Sequence, residues 1–208
     1  MEDVLEVYQR PVDPIRPLVC VDEFSKQLLS ETRTPLPATS QHPARHDYEY
    51  VREGSISGFM IATPLLGQRE VYVGEEGRRT AIDFAKCMDH LANEVHPDAE
   101  KIIVVMDNLN THKEASFYEA FEAPKARALC ERFEFHYTPK HGSWLNMAEI
   151  EIGLLVRGCL DKRIASSEEF RSEIKAYLAH KKLNSRPIKW QFTNQKARIK
   201  LKSLYPSV

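Results

Sequence analysis

Two short apolar runs, each stopped by an aspartate, constrain the fold of this chain more than any other feature of its sequence. Residues 18–21 read LVCV and precede Asp22, and residues 102–106 read IIVVM and precede Asp107. Runs of this length, rich in β-branched residues, are typical of strands buried on both faces of a sheet. If the two strands are parallel neighbours, both aspartates emerge at the carboxyl edge of the sheet, where open α/β sheets bind ligands.

The segments around these runs predict an α/β fold with a mixed sheet of about five strands and helices on both faces. Thr80 caps a predicted helix that extends to about residue 95 and leads into the second run, which makes a right-handed strand–helix–strand crossover. The other predicted strands occupy residues 48–52, 56–63, 69–73 and 134–137, with a turn at 54–55.

A third acid lies on a predicted helix. Residues 137–160 (YTPKHGSWLNMAEIEIGLLVRGCL) form a loop that leads into a helix starting near Leu145. Helical spacing places Glu149 in an apolar stripe, whereas Glu151 falls on the opposite, solvated side. A carboxylate facing the core is costly unless a charged group meets it. For a lone glutamate, a salt bridge to a lysine or arginine is the better explanation.

Three converging carboxylates change that interpretation, because they repel one another unless a divalent cation neutralises them. Ligation by oxygen alone, with open positions, suits magnesium or manganese. Asp22, Asp107 and Glu149 together therefore indicate a two-metal site for phosphoryl transfer. Each aspartate taken alone is better explained as a turn residue at a strand end, but the three together favour the metal site.

Three stretches around these acids resemble the DDE transposases of bacterial insertion sequences in the mariner superfamily: VCVDE at 19–23, VVMDNLNTH at 104–112 and TPKHGSWLNMAE at 138–149. The resemblance covers nearly the whole chain, and it implies an RNase H-like fold with a catalytic triad of two aspartates and a third acid. The triad corresponds to Asp22, Asp107 and Glu149, with 41 residues between the last two.

The resemblance also implies an activity. It implies an enzyme, a metal-dependent DNA endonuclease and strand-transfer domain that cleaves transposon-end DNA and joins the 3′ hydroxyl to target DNA. Two Mg²⁺ or Mn²⁺ ions on the triad are implied, as is a homodimer or higher assembly on DNA. Two alternatives stay open: a truncated, catalytically idle DNA-binding remnant or regulator, and a non-transposase nuclease of the same fold.

The chain is expected to divide into a short entry segment and one domain. Residues 1–16 are predicted to form a linker helix followed by an extended, proline-rich stretch. Residues 17–208 then form the RNase H-like catalytic domain with a basic helical tail. The helix-turn-helix half that usually precedes this domain in the family does not precede Met1 in this sequence.

A charge asymmetry indicates a DNA-binding surface. The net charge of -1 combines +9 over residues 157–202, which hold 13 Lys and Arg against 4 Asp and Glu, with -10 elsewhere. A solvated helix face explains this asymmetry equally well.

Three aromatic residues could also contact DNA bases. For Trp144, a role in closing the core is slightly favoured over a base contact, and for Tyr48 and Tyr50, packing in the sheet is favoured over base stacking. The candidate DNA-binding residues are Lys140, His141, Trp144, Asn146, Lys181 and Lys182.

Several other classes of protein are disfavoured. No apolar run approaches the roughly 18 residues of a membrane-spanning helix, and the acidic start is unlike a signal peptide. The sequence has no glycine-rich phosphate loop, so no nucleotide cofactor is expected. The four cysteines lack CxxC spacing and the histidines are scattered, which disfavours zinc. We therefore expect a cytoplasmic, DNA-associated bacterial protein with no membrane partner.

Overall fold

The computed structural model describes residues 1–205, which contain a mixed sheet of five strands. These are β1 (Leu18–Glu31), β2 (Tyr50–Thr63), β3 (Gln68–Tyr72), β4 (Ile102–Met106) and β5 (Phe133–Tyr137), in the spatial order β3-β2-β1-β4-β5. β1 pairs with β2 and β2 with β3 in the antiparallel sense, whereas β1 pairs with β4 and β4 with β5 in parallel. The predicted mixed α/β sheet is confirmed.

Seven α-helices are found in the described part of the chain. They are α1 (Glu2–Val7), α2 (Ala81–His90), α3 (Ala115–Ala120), α4 (Ala123–Arg132), α5 (Ala148–Leu155), α6 (Ser167–Leu183) and α7 (Asn194–Lys200). A capping box of Thr80 and Asp83 begins α2, as the sequence predicts, and a π-helical turn over Leu91–Val95 extends it. This helix supplies the crossover between the antiparallel and parallel parts of the sheet.

The alternation of side chains along β1 divides the core into two layers. Val19 and Val21 pack with α2, α3 and α4 on one face of the sheet. Cys20 and Phe24 pack on the other face, with α1, α5 and α6. Asp22 therefore lies on the α5 face of β1, and its neighbour Glu23 lies on the α2 face.

Two strands are much longer than the sequence predicts. Pairing with β2 continues β1 for nine residues beyond Asp22, to Glu31, so Asp22 lies within a strand instead of at its end. The predicted turn at 54–55 is wrong, because Gly54, with φ of +108°, lies at a register shift in one continuous strand. Sheet packing of Tyr48 is also wrong, because the residue precedes β2 and is 85% exposed.

The entry segment belongs to the folded core. Val4 and Leu5 of α1 are completely buried, and the Tyr8 hydroxyl donates a 2.6 Å hydrogen bond to the carbonyl of Leu145. Helix α1 therefore packs beneath the loop that leads into α5. The last three positions of the predicted domain, 206–208, lie outside the described residues.

Candidate active site

Asp22 lies in the centre of the sheet, almost buried, and its carboxylate is held by hydrogen bonds. Its Oδ1 accepts from the backbone N–H of Glu23 at 2.9 Å, and its Oδ2 accepts from Nδ2 of Asn146 at 3.2 Å. Asn146 also donates to the carbonyl of Val21 and accepts from the N–H of Ala148. This one amide therefore joins β1 to the first residue of α5.

The parallel pairing of β1 with β4 brings Asp107 to the same edge of the sheet. The register pairs Cys20 with Val105, and each aspartate follows two residues after that pair. Asp107 Oδ1 lies 2.6 Å from Nδ1 of His112, whose Nε2 lies 3.0 Å from Glu23 Oε2. The two strand-associated aspartates therefore meet as the sequence predicts, and Asp107 has a histidine partner.

Glu149, in the first turn of α5, completes the acidic cluster. Burial and, to a lesser extent, the negative charges of Asp107, Glu149 and Glu23 together raise the pKa of Asp22 to about 7. The electrostatic influence of Asp107 and Glu149 on Asp22 follows from their proximity. The structure thus brings two of the predicted carboxylates, Asp107 and Glu149, near the third, the buried Asp22.

The predicted orientation of α5 is wrong. Glu149 is exposed, whereas Glu151 is only 4% exposed and forms an ion pair with Arg69 of β3, at 2.8 Å between Nε and Oε2. The inward-facing residues of α5 are Ala148, Glu151 and Leu155. A 3₁₀ turn over Ser143–Leu145 and a π turn over Val156–Leu160 flank the helix, so a single helical period does not hold across the segment.

The donor set fits a divalent metal of the magnesium type. Asp22, Asp107 and Glu149 offer carboxylate oxygens only, and the pKa of Asp22 is raised first by burial and then by the neighbouring negative charges. A divalent cation held by these residues would neutralise that charge. Among residues 1–205, the group of potential ligands whose atoms all lie within 4.8 Å of one another is Glu23, Asp107 and His112, and the predicted triad is not such a group. The Nδ1 contact of His112 with Asp107 is a hydrogen bond, whereas Nε2 lies at ion-pair distance from the buried Glu23 Oε2, which has no hydrogen-bond partner.

Sequence reasoning missed Glu23 as a site residue. Two consecutive acids, in an otherwise apolar run at VCVDE, were the available signal, because alternation sends one acid to each face of the strand. For His112, which follows the second apolar run, the sequence allows a role in orienting water or phosphate but favours a structural hydrogen bond. The structure places His112 2% exposed, between two carboxylates, with its ring tilted against Phe84 at 4.8 Å between centroids.

The candidate DNA-binding residues fall into three groups. Lys140 and His141 are exposed in the loop before α5, beside the carboxylate cluster, and Trp144 in the same loop is 48% exposed, edge-on to Phe192. Asn146 is only 1% exposed, and its amide is fully used within the protein. The structure therefore gives Asn146 a positioning role and leaves it no surface for a direct DNA contact.

Lys181 and Lys182 lie away from the carboxylates. They occupy the last turn of α6, which is followed by a hydrogen bond from the Ser185 hydroxyl to the carbonyl of Gly67. Gly67 is in the turn between β2 and β3, at the end of the sheet where β1 begins. The two lysines are thus near the turn between β2 and β3, at the end of the sheet where β1 begins, four residues before Asp22. No helix within residues 1–205 has the length and apolar character needed to cross a bilayer.

A mixed five-stranded sheet with carboxylates at the carboxyl side of parallel central strands defines the class of RNase H-like phosphoryl-transfer enzymes. Residues 17–171 match the family described as DDE superfamily endonuclease, and the chain belongs to this family. The endonuclease class expected from the sequence is therefore confirmed, and the mixed five-stranded sheet is the architecture that the sequence predicts. Among curated proteins, a sequence comparison found no match.

Comparison with solved structures finds complexes of the Mos1 mariner transposase. A paired-end complex with the left transposon end has a TM-score of 0.49 and 16% identity, over 86% of this chain and 53% of that chain. The Mos1 strand transfer complex has a TM-score of 0.47 and 15% identity, over 85% of this chain and 50% of that chain. This chain therefore spans about half the length of the proteins in those structures.

The two glutamates of α5 should differ sharply in their effect on stability. Glu151→Gln leaves the Arg69 charge buried without its partner and should lower the free energy of unfolding by roughly 3 kcal/mol. Glu149→Gln changes an exposed side chain and should stay within about ±0.5 kcal/mol. Urea unfolding of both variants measures the difference. The double replacement Arg69→Met, Glu151→Met is the control, and it should recover most of the loss. Equal effects of the two single substitutions would contradict the ion-pair assignment.

Without metal, the buried Asp22 should make the protein less stable as the pH rises. Its pKa is about 7 in the folded state and about 4 in the unfolded state, so the folded state binds the proton more tightly. The free energy of unfolding therefore falls as the pH rises from about 4 to about 7. Asp22→Asn removes this penalty, so in EDTA it should be more stable than the parent at pH 8, by about 1–3 kcal/mol, and nearly equal to it at pH 4. Thermal unfolding at both pH values tests this. A difference independent of pH would argue against an unneutralised carboxylate.

Proposed function

We propose that this chain is the catalytic domain of an insertion-sequence transposase that cleaves transposon-end DNA and joins the new 3′ hydroxyl to target DNA. The observation that supports the proposal best is the gathering of Asp107 and Glu149 around the buried Asp22. A cytoplasmic, DNA-associated protein is consistent with this activity. Membership of the DDE superfamily endonuclease family supports cleavage of a nucleic-acid strand at this site.

Different residues of the chain would have different roles in the site. Asp22, Asp107 and Glu149 would hold two Mg²⁺ or Mn²⁺ ions, which supply charge neutralisation for the attacking and leaving oxygens of an in-line displacement. Asn146 fixes one oxygen of Asp22 by donating a hydrogen bond to it. The exposure of Glu149 leaves its carboxylate accessible from the side on which DNA would approach. A rigid, buried aspartate is thus combined with an accessible glutamate.

The loop before α5 is the part of the proposed DNA surface nearest to the chemistry. Lys140 and His141 are exposed there and can approach the scissile phosphate, and half of the Trp144 side chain is available for a base or sugar contact. His141 has a positive φ of 63°, so the loop has a defined bend at this position. Lys181 and Lys182 would bind a more distant part of the duplex.

The arrangement of domains and subunits also belongs to the proposal. Residues 1–16 would act as a linker whose helix is packed on the catalytic domain formed by the rest of the chain. A homodimer or larger assembly on DNA would allow two transposon ends to be processed together. The packing of Val4 and Leu5 in the core supports a fixed direction for the linker as it enters the domain.

Nicking of supercoiled plasmid DNA carrying a candidate transposon end tests the enzymatic part of the proposal. The parent should nick in Mg²⁺ or Mn²⁺ and remain inactive in EDTA. Asp22→Asn and Glu149→Gln should each lower the rate of the chemical step by roughly 1000-fold, because each removes a charged oxygen ligand worth several kcal/mol. Glu119→Gln, an exposed acid on α3, is the matched control and should leave the rate unchanged.

Other outcomes of this assay identify other functions. Binding without nicking in any metal would contradict the enzyme and favour an idle DNA-binding remnant. Nicking without dependence on a transposon end, and without joining to a second duplex, would favour a non-transposase nuclease of the same fold. Full activity of Glu149→Gln would show that α5 does not supply the third acid.

The salt dependence of DNA binding tests the role of Lys181 and Lys182 at the end of α6, and the nicking rate tests that of Lys140 in the loop before α5. If Lys181 and Lys182 bind phosphates, the double Lys→Gln variant should lower the slope of log K against log salt concentration by up to about 1.8, with no effect on sequence preference. Lys140→Gln should also slow nicking at saturating DNA, because it lies beside the cluster. Fluorescence anisotropy at several salt concentrations measures the slope, with Lys86→Gln on α2 as the control. An unchanged slope in the double variant would make the end of α6 a solvated helix face.

A further inference from the structure

His112 has both of its ring nitrogens placed against carboxylates. Nδ1 lies 2.6 Å from Asp107 Oδ1, and Nε2 lies 3.0 Å from Glu23 Oε2. The Nδ1 contact with Asp107 is a hydrogen bond to a carboxylate oxygen. Nε2 meets Glu23 Oε2 at ion-pair distance, and that buried oxygen has no hydrogen-bond partner among the described residues. The histidine thus links the acid that follows β4 to the second acid of the VCVDE run in β1.

The surroundings of the ring hold it in one orientation. Its ring lies 4.8 Å from that of Phe84, between centroids, and the side chain is 2% exposed. Its backbone carbonyl accepts a hydrogen bond from the Tyr137 hydroxyl of β5 at 3.1 Å. On the far side, Arg79 lies 3.4 Å from Glu23 Oε1, so each oxygen of Glu23 faces a cationic or protonated nitrogen.

We propose that His112 and Glu23 form a positioning clamp for Asp107. In this arrangement the ring donates to one oxygen of Asp107 and leaves the other free to face Asp22 and Glu149. Glu23 anchors the far end of the ring and is not itself a metal ligand. The proposal deepens the function proposed above and rests on it, because Asp107 needs a fixed direction only if it acts in the carboxylate cluster.

The alternation of β1 explains why a second acid is needed on the other face. Asp22 faces α5, but Glu23 faces α2, beside Phe84 and His112. Asp107 follows the last residue of β4, where the two faces of the sheet meet at its edge. A clamp from the α2 face can therefore hold Asp107 without occupying the α5 face, where Asp22 and Glu149 lie.

Two substitutions of His112 test its two carboxylate contacts one at a time, because each keeps a nitrogen donor at only one of the two ring positions. The amide nitrogen of asparagine can take the place of Nδ1 and donate to Asp107, whereas that of glutamine can take the place of Nε2 and donate to Glu23. His112→Asn keeps the donor to Asp107 and loses only the contact with Glu23, so it should lose less Mn²⁺ affinity and nicking rate than variants that lose the donor to Asp107. His112→Gln and His112→Phe should lose about 10–100-fold in both, as is typical when the partner of a metal ligand is removed.

The comparison also tests a purely structural role. If His112 only fills space beside Phe84, His112→Phe should retain most activity, and the Asn and Gln variants should be equally impaired. Either result would overturn the clamp. Thermal unfolding of all three variants in EDTA shows which are folded, and the Asn and Gln pair remains informative if the Phe variant does not fold.

Two measurements with metal alone test the clamp without using activity. In protein labelled with ¹⁵N-histidine, the signals lost in His112→Asn identify this ring among the eight histidines. Both N–H groups should persist when Mg²⁺ is added, whereas loss of either proton would make His112 a metal ligand and overturn the proposal. Calorimetric titration with Mn²⁺ should give the same number of bound ions for the parent and Glu23→Gln. One ion fewer in the variant would make Glu23 a ligand.

Failure of the clamp and failure of the proposed function are distinguishable. In one case the parent does not nick DNA, but both ring N–H groups of His112 persist and His112→Gln weakens Mn²⁺ binding more than His112→Asn. This result would support the clamp and contradict the transposase activity. If the parent nicks DNA and the Asn and Gln variants are equally impaired, the activity stands and the clamp does not.

Discussion

The parallel pairing of β1 with β4 is the constraint on which the site depends. Three residue pairs, from Leu18 with Ile103 to Cys20 with Val105, fix the relative register of the two strands. That register brings Asp22 and Asp107 to one edge of the sheet although 84 residues separate them in the sequence. The intervening chain forms the antiparallel half of the sheet and the crossover helix α2, so most of the fold serves this one pairing.

Electrostatic repulsion is the cost of this arrangement. Burial and three other carboxylates raise the pKa of Asp22, so an ionised Asp22 lowers the stability of the folded state without metal. The protein limits the repulsion by dividing the acids between the two faces of β1. Glu23 is neutralised on the α2 face by Arg79 and His112, and Asp22 is left on the α5 face with hydrogen bonds from uncharged groups alone. The unneutralised charge is thus concentrated where a cation is needed.

The sequence predicts the positions of the acids better than their surroundings. The runs before Asp22 and Asp107 are short, apolar and rich in β-branched residues, so the sequence predicts their strand character, but it brings the aspartates together only if the strands are parallel neighbours. The sequence does not predict the length of β1 and β2, because their outer halves are strands only through pairing with each other. The predicted turn at 54–55 is a register shift within β2, where Gly54 has a positive φ.

The orientation of α5 was the least predictable feature, for a physical reason. Helical periodicity places the apolar residues on the inward face. It cannot predict that an acid is buried when its ion-pair partner lies in another element. Glu151 is buried because Arg69, 82 residues earlier, meets it across the sheet. The same segment contains 3₁₀ and π turns on either side of α5, which change the angle per residue. The helical face from which the sequence predicts Glu149 is therefore wrong, and its place in the cluster is supported by the family resemblance and by its effect on Asp22.

Two anchors determine where Glu149 is directed. Asn146 fixes the start of α5 to β1 through the carbonyl of Val21 and the carboxylate of Asp22, and Glu151 fixes the first turn to β3 through Arg69. A helix held at two points five residues apart can neither slide nor rotate about its axis without breaking one of them. A hydrophobic pair at 69 and 151 could match the ion pair in stability, but it would specify the rotation of the helix less strictly, because apolar contact lacks direction. The buried ion pair is thus best understood as part of what directs Glu149, which lies between the two anchors, towards Asp22.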